Sequence, residues 1–89
     1  MVEKKLVLKN KLGLHARAAA KLVQLAEQFK SDIKIVKDNV EADGKSILGV
    51  LLLAAPVGSE LIFRVDGEDE QEAISAIEQL IEDKFGEEE

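Results

Sequence analysis

The residues best suited to chemistry are a histidine and an arginine two positions apart, His15 and Arg17. A neutral imidazole is a nucleophile near physiological pH, and a guanidinium offers planar donors to phosphoryl oxygens. Gly13 permits a sharp turn before them, and strong helix formers follow from Ala16. His15 is therefore expected at or next to the N-cap of a helix, beside unpaired backbone N–H groups that attract phosphate. These residues predict a site that handles phosphoryl groups, although a lone histidine at a helix start is often only a surface or capping residue.

Two short motifs carry a resemblance to a known family. The stretch from Leu12 to Arg17, Leu-Gly-Leu-His-Ala-Arg, resembles the active-site signature of the HPr family. Members of this family are the histidine phosphocarriers of the bacterial phosphoenolpyruvate:sugar phosphotransferase system. The stretch from Gly44 to Gly49, Gly-Lys-Ser-Ile-Leu-Gly, resembles the second signature of the family at the expected distance. Ala18 stands where the family usually has proline, and we expect altered local rigidity rather than lost chemistry, since a first helical turn accepts either residue.

The resemblance implies a phosphoryl carrier rather than an independent turnover enzyme. His15 would accept a phosphoryl group on ring nitrogen Nδ1, the pros position, from phosphorylated enzyme I and pass it to a sugar-specific enzyme IIA. Arg17 would stabilise that group, and the backbone N–H groups of Ala16, Arg17 and Ala18 would hold its oxygens. Ser46 would be a regulatory site for an HPr kinase/phosphorylase, although a serine that only caps a helix needs no further role.

Composition and charge narrow the function classes. The 89 residues carry a net charge of −6 and no cysteine, which excludes disulfides and disfavours nucleic acid as a partner. A single histidine among scattered carboxylates lacks metal-ligand spacing, so no metal and no cofactor are expected. The longest apolar run, Val50 to Val57, is too short to span a bilayer, and the first residues do not suit a signal peptide. We expect a cytoplasmic monomer without membrane insertion.

The charges are unevenly distributed along the chain. Residues 1–30 contain seven Lys or Arg and two Glu, whereas residues 60–89 contain twelve Asp or Glu and two basic residues. The basic cluster lies near His15, which suits a phosphoryl group or an acidic partner surface. A solvated basic face explains the same pattern.

Hydrophobic periodicity predicts seven secondary-structure elements. Alternating residues predict strands over 3–9, 32–37, 40–42 and 60–66. Helical spacing predicts helices from Ala16 to about Lys30, from Ile47 to about Leu53 and from Asp69 to Phe85. Asp69 and Glu72 resemble a capping box, and residues 87–89 are expected to form a frayed, solvated tail.

The order of these elements, β-α-β-β-α-β-α, predicts a fold class. Strands and helices in this order favour an α+β domain over residues 1–89, with a four-stranded antiparallel sheet covered on one face by helices. The HPr fold that the resemblance implies is such an open-faced two-layer sandwich.

A phosphocarrier must dock on its partners through a surface near the nucleophile. The apolar candidates for this surface are Leu14, Ala20, Ile47, Leu48 and Leu51. A competing interpretation places all of them in the core. Because a short helix after Ser46 cannot bury every apolar residue, we expect Ile47 and Leu48 to be exposed and Leu51 and Leu52 to lie partly in the core.

Two alternatives come from other function classes. A regulatory relative that serves a nitrogen-type phosphotransfer chain, or that binds a transcription factor, would keep the same motifs and act mainly through protein binding. A small phosphatase would form a phosphohistidine and hydrolyse it. The phosphatase is disfavoured because no second general base accompanies His15 in the motif.

Overall fold

The computed structural model describes residues 1–88 and contains the predicted order of elements. The elements are β1 (Val2–Val7), α1 (Ala16–Ala26), β2 (Asp32–Lys37), β3 (Val40–Asp43), α2 (Ile47–Leu52), β4 (Glu60–Asp66) and α3 (Glu70–Glu82), followed by a 3₁₀ turn (Lys84–Gly86). The strands form one antiparallel sheet in the order β1-β4-β2-β3. In this part of the chain, no helix is long and apolar enough to cross a membrane.

The core lies on one face of the sheet because strand residues alternate between its two faces. Strand β4 is central, and its residues Leu61, Phe63 and Val65 are buried while the residues between them are not. Its register places Leu61 opposite Leu6 of β1 and Phe63 opposite Ile35 of β2. Helix α3 packs against β1 and β4, and α1 packs against α2 and α3. The expectation of an open-faced α+β sandwich is confirmed.

Helix α1 ends earlier than its sequence pattern predicts. Its last residue is Ala26 rather than Lys30. Beyond it, the N–H of Gln28 donates to the carbonyl of Leu25 and that of Phe29 donates to Ala26, both three residues back. These tighter hydrogen bonds belong to a 3₁₀ turn, which ends the α-helix although Phe29 still packs against the core.

The predicted capping box at Asp69 is wrong, because this carboxylate binds a distant segment instead. Asp69 is the N-cap of α3 but makes no side-chain capping bond. It accepts hydrogen bonds from the Ser31 hydroxyl at 2.5 Å, the Ser31 N–H at 2.9 Å and the Lys30 N–H at 2.8 Å. The Ser31 hydroxyl and the Lys30 N–H lower the pKa of the Asp69 carboxyl below its ordinary value. Glu70 stabilises the turn before α3 instead, because its Oε1 accepts a hydrogen bond from the Gly67 N–H at 3.1 Å.

Candidate active site

His15 is the N-cap of α1, as predicted. Its backbone is extended, with φ −75° and ψ 178°, and its carbonyl accepts the N–H of Ala19 at 2.8 Å. The imidazole makes no capping hydrogen bond. The first N–H groups of the helix, on Ala16, Arg17 and Ala18, lack intrahelical partners and are therefore left to an incoming anion.

The turn before His15 is held by backbone contacts that require glycine. Gly13 has φ +67°, its N–H donates to the Asn10 carbonyl at 3.1 Å, and a Cβ atom there would collide with the backbone of Ala55 and Pro56. The next residue, Leu14, donates its N–H to the Ala55 carbonyl at 2.8 Å. These contacts fix the start of α1 against the segment that follows α2.

A carboxylate that the sequence analysis missed contacts the imidazole. Glu87 Oε2 is hydrogen bonded to His15 Nε2, and Glu87 Oε1 accepts from Asn10 Nδ2 at 2.9 Å. The Glu87 side chain is 15% exposed, so the prediction of a solvated tail is wrong at this residue. Burial raises the pKa of the Glu87 carboxyl, but the hydrogen bonds from Asn10 and His15 outweigh burial and hold the pKa below its ordinary value.

A reversal of the backbone after α3 brings Glu87 to His15. Lys84 and Phe85 both have positive φ, 55° and 58°, and Phe85 is buried in the core. Lys21 Nζ of α1 donates to the Phe85 carbonyl at 2.5 Å. The apolar Phe85 followed by Gly86 is the only sequence signal for this reversal, and it does not show where Glu87 would lie.

A cavity of about 650 Å³ opens beside the imidazole. It is lined by Lys11, Leu12, His15, Ala16, Arg17, Glu87 and Glu88. Arg17 is exposed and forms no ion pair among residues 1–88, which leaves its guanidinium accessible to an anion. Over the same range, no group of three or more metal-ligating side chains is placed to hold a metal ion.

The candidate docking residues divide between surface and core. Ile47 and Leu48 are exposed as predicted, Leu48 to 66%. Leu51 and Ala20 are half-buried. Leu14 is only 4% exposed and packs in the core, so its assignment to a docking surface is wrong.

Leu52 is more exposed than predicted, whereas Leu14 is more buried than predicted. It is 72% exposed, although the sequence analysis placed it partly in the core. Helix α2 has six residues and directs Val50 into the core, which leaves the other side of the helix in solvent. We call Ile47, Leu48 and Leu52 the α2 patch.

Ser46 caps α2, as predicted. Its Oγ accepts the N–H of Gly49 at 3.2 Å, and its backbone is extended, with φ −114°. The residue is half-buried and directly precedes Ile47 and Leu48. A substitution or modification of Ser46 therefore alters both the N-cap of α2 and the surface next to the α2 patch.

Comparison with known proteins agrees with this geometry. Residues 2–83 match the family model described as the PTS HPr component phosphorylation site. The Phosphocarrier protein HPr of Cupriavidus necator is 49% identical over 98% of each chain. The crystal structure of HPr-C-His from Thermoanaerobacter tengcongensis has a TM-score of 0.96 and 47% identity, with 100% of each chain covered. An HPr dimer from the same organism has a TM-score of 0.79 at 47% identity, covering 98% of this chain and all of that one. The chain therefore belongs to the HPr family of phosphocarriers of the phosphotransferase system.

Proposed function

We propose that the chain carries a phosphoryl group on His15. The donor is phosphorylated enzyme I and the acceptor is a histidine of a sugar-specific enzyme IIA, both in the cytoplasm, and residues 1–89 act as one domain. The observation that carries the proposal is the position of His15 at the N-cap of α1, beside uncapped N–H groups and Arg17. Membership of the family supports the carrier role.

The chemistry needs one nucleophilic nitrogen and a set of phosphate donors. The lone pair of His15 Nδ1 attacks the phosphorus of the donor's phosphohistidine. A new N–P bond forms while the donor's N–P bond breaks, and the electron pair of the broken bond returns to the donor nitrogen. Nε2 is already occupied by Glu87, which supports Nδ1 as the reacting atom. The N–H groups of Ala16, Arg17 and Ala18 then hold the phosphoryl oxygens.

A carrier must keep its phosphoryl group until the acceptor arrives. Hydrolysis would require a base that activates water next to the phosphorus. The carboxylate nearest the imidazole, Glu87, is instead bound to Nε2 and to Asn10. This arrangement supports transfer to another protein rather than release of inorganic phosphate.

The proposal is tested by incubating the purified chain with phosphoenolpyruvate and enzyme I. Intact mass spectrometry should show one added phosphate, which is lost on mild acid treatment and is passed on when an enzyme IIA is added. Omission of enzyme I is the control. No added mass, as expected of a relative that acts only by binding, or continuous release of inorganic phosphate without an acceptor, contradicts the proposal.

Arg17→Ala should slow transfer in both directions without abolishing it. Hydrogen bonds to charged groups contribute ~1.5–3 kcal/mol, so we expect a loss of roughly tenfold to a hundredfold, while the helix N–H groups sustain the remaining activity. The measurement is rapid-quench transfer from enzyme I and to enzyme IIA. Arg64→Ala is the matched control, because Arg64 lies on β4 and pairs with Glu3 outside the cavity. Equal transfer rates for Arg17→Ala and the unaltered chain would show that Arg17 is only a surface charge with no role in transfer.

Ser46→Asp should weaken docking while leaving the fold intact. Aspartate is as good an N-cap as serine, but its carboxylate would stand beside Ile47 and Leu48 and face a partner that we propose to be acidic. We expect the apparent KM for enzyme I to rise about tenfold, the equivalent of ~1.4 kcal/mol. High salt should relieve part of the defect, because exposed charges are screened.

Ser46→Asn is the matched control for this experiment, since it caps equally well and adds no charge. Steady-state phosphorylation at low and high salt, with thermal melts, compares the variants. Equal KM values for the Asp and Asn variants at low salt would show that the α2 patch is not part of the docking surface.

We also propose that an HPr kinase/phosphorylase phosphorylates Ser46 as a regulatory modification. The N-terminus of α2 would accommodate the negative charge of a phosphoserine, whereas the same charge beside the α2 patch would weaken docking of an acidic partner.

The sequence predicts that the protein is a monomer. A solved relative at 47% identity is an HPr dimer, which is in tension with this prediction.

A further inference from the structure

We propose that Glu87 is a positioning residue that sets the tautomer of His15, keeping the ring proton on Nε2 and the lone pair on Nδ1. The contact between Glu87 Oε2 and His15 Nε2 and the contact between Glu87 Oε1 and Asn10 Nδ2 carry this proposal. Its consequence for phosphoryl transfer rests on the proposed function of His15. Glu87 lies beyond the family match, which covers residues 2–83.

The first step of the argument is the orientation of Asn10. This residue is fully buried, and its Nδ2 donates to the Gly13 carbonyl at 2.7 Å as well as to Glu87. A backbone carbonyl only accepts, so the amide group must present its nitrogen here. Exchanging Nδ2 for Oδ1, which has no partner among the described residues, would break both hydrogen bonds. The Glu87 atom next to Asn10 must therefore be an acceptor.

The second step is the proton on the imidazole. A glutamate carboxyl ordinarily ionises well below neutral pH, and the hydrogen bond from Asn10 favours the charged form of Glu87, so this group accepts at both oxygens. Nε2 must then donate. A neutral imidazole has one N–H, so Nδ1 retains its lone pair. Because both oxygens of Glu87 accept, the neutral His15 ring carries its proton on Nε2.

The third step links the tautomer to the reaction. Attack on phosphorus through Nδ1 needs no prior movement of the ring proton, and the Nε2–H remains directed at Glu87 after the N–P bond has formed. The other charged side chains around the imidazole are Lys11, Arg17 and Glu88 in the cavity, while Lys21 attracts the Glu87 carboxylate. Among these groups, Glu87 is the one hydrogen bonded to the ring.

Glu87→Gln tests the proposal because Asn10 restricts how the new amide can orient. The amide must offer its oxygen to Asn10 and its NH₂ group to the ring, so Nε2 must accept and the proton must move to Nδ1. The chain has one histidine, so ¹⁵N chemical shifts of the neutral ring report its tautomer without overlap. We expect Nε2–H in the unaltered chain and predominantly Nδ1–H in the variant.

Two further variants are the controls. Glu87→Ala removes the contact and should leave the tautomer mixture of a free imidazole. Glu68→Gln removes the same charge from an exposed residue between β4 and α3, outside the cavity, and should match the unaltered chain. An Nδ1–H population in Glu87→Gln no greater than in Glu87→Ala overturns the proposal.

Transfer kinetics test the consequence of the tautomer. Glu87→Gln should accept the phosphoryl group from enzyme I at least about tenfold more slowly, with KM little changed, because a ring that carries its proton on the reacting nitrogen cannot attack. Equal rates for Glu87→Gln and Glu68→Gln overturn this part. The NMR spectra require no phosphoryl donor, so the two proposals can fail independently. If the unaltered chain is not phosphorylated by enzyme I, only the proposed function is refuted. If it is phosphorylated but Glu87→Gln gives the same spectrum as the unaltered chain, only the positioning role of Glu87 is refuted.

Discussion

His15→Ala is expected to abolish phosphoryl acceptance while the chain stays folded. It removes the only imidazole in the sequence, so no nitrogen nucleophile of this kind remains. The stability cost should be about 1–2 kcal/mol, because the His15 side chain makes no capping bond and is 27% exposed, but its removal leaves Glu87 without the hydrogen bond to the ring. Intact mass spectrometry after incubation with enzyme I and phosphoenolpyruvate measures acceptance, and a thermal melt checks the fold.

The same variant offers a second readout. It keeps the uncapped N–H groups of α1, Arg17 and the α2 patch, so it should still bind enzyme I. We expect it to compete with the unaltered chain and to slow that chain's phosphorylation in a concentration-dependent way. An added acid-labile phosphate on the variant would contradict the assignment of His15.

Gly13→Ala is expected to be strongly destabilising and to disturb the site. Two costs add here: a non-glycine residue at φ +67° costs ~1–3 kcal/mol, and the new Cβ would overlap Ala55 and Pro56, with Pro56 Cα at 2.8 Å. Overpacking of this kind adds roughly another 1–3 kcal/mol. We expect the free energy of unfolding in urea to fall by about 2–6 kcal/mol.

Gly58→Ala separates the two costs. Gly58 also has positive φ, 86°, but a Cβ atom there meets nothing within 4 Å. Its loss should therefore reflect backbone strain alone. In folded Gly13→Ala, the turn that positions His15 must shift, and a displacement of about 1 Å can slow a reaction roughly a hundredfold. Equal losses of stability in the two variants would show that the packing of the turn against Ala55 and Pro56 is not critical.

Features with a local signal were predicted from the sequence. Gly13 and the helix formers after it placed His15 at a helix start, and Ser46 before an apolar run predicted the α2 cap, both of which the structure confirms. Alternation in 60–66 predicted a strand there, which is β4 in the structure. These signals are carried by neighbouring residues, and their physical cause is the conformational preference of each residue type.

Features that depend on distant partners were missed or predicted wrongly. The Glu87 contact spans 72 positions, and the Ser31–Asp69 contact spans 38. The Leu14 side chain packs in the core and its N–H donates to the Ala55 carbonyl, neither of which a local pattern shows. In each case a side chain finds a partner supplied by the tertiary fold, so its role is set by topology rather than by its neighbours in sequence.

The burial of Phe85 has a consequence for the dynamics of the reaction centre. This ring is the last core side chain before Glu87, and the N–H groups of Gly86 and Glu87 donate to the carbonyls of Asp83 and Lys84, each three residues earlier. Segments whose backbone hydrogen bonds are only local open in fluctuations that cost less free energy than global unfolding. Release of Phe85 would withdraw Glu87 from the imidazole while the sheet stays intact. We therefore expect the occupancy of the Glu87–His15 hydrogen bond, and with it the position of the ring proton, to follow a local opening equilibrium of residues 85–87.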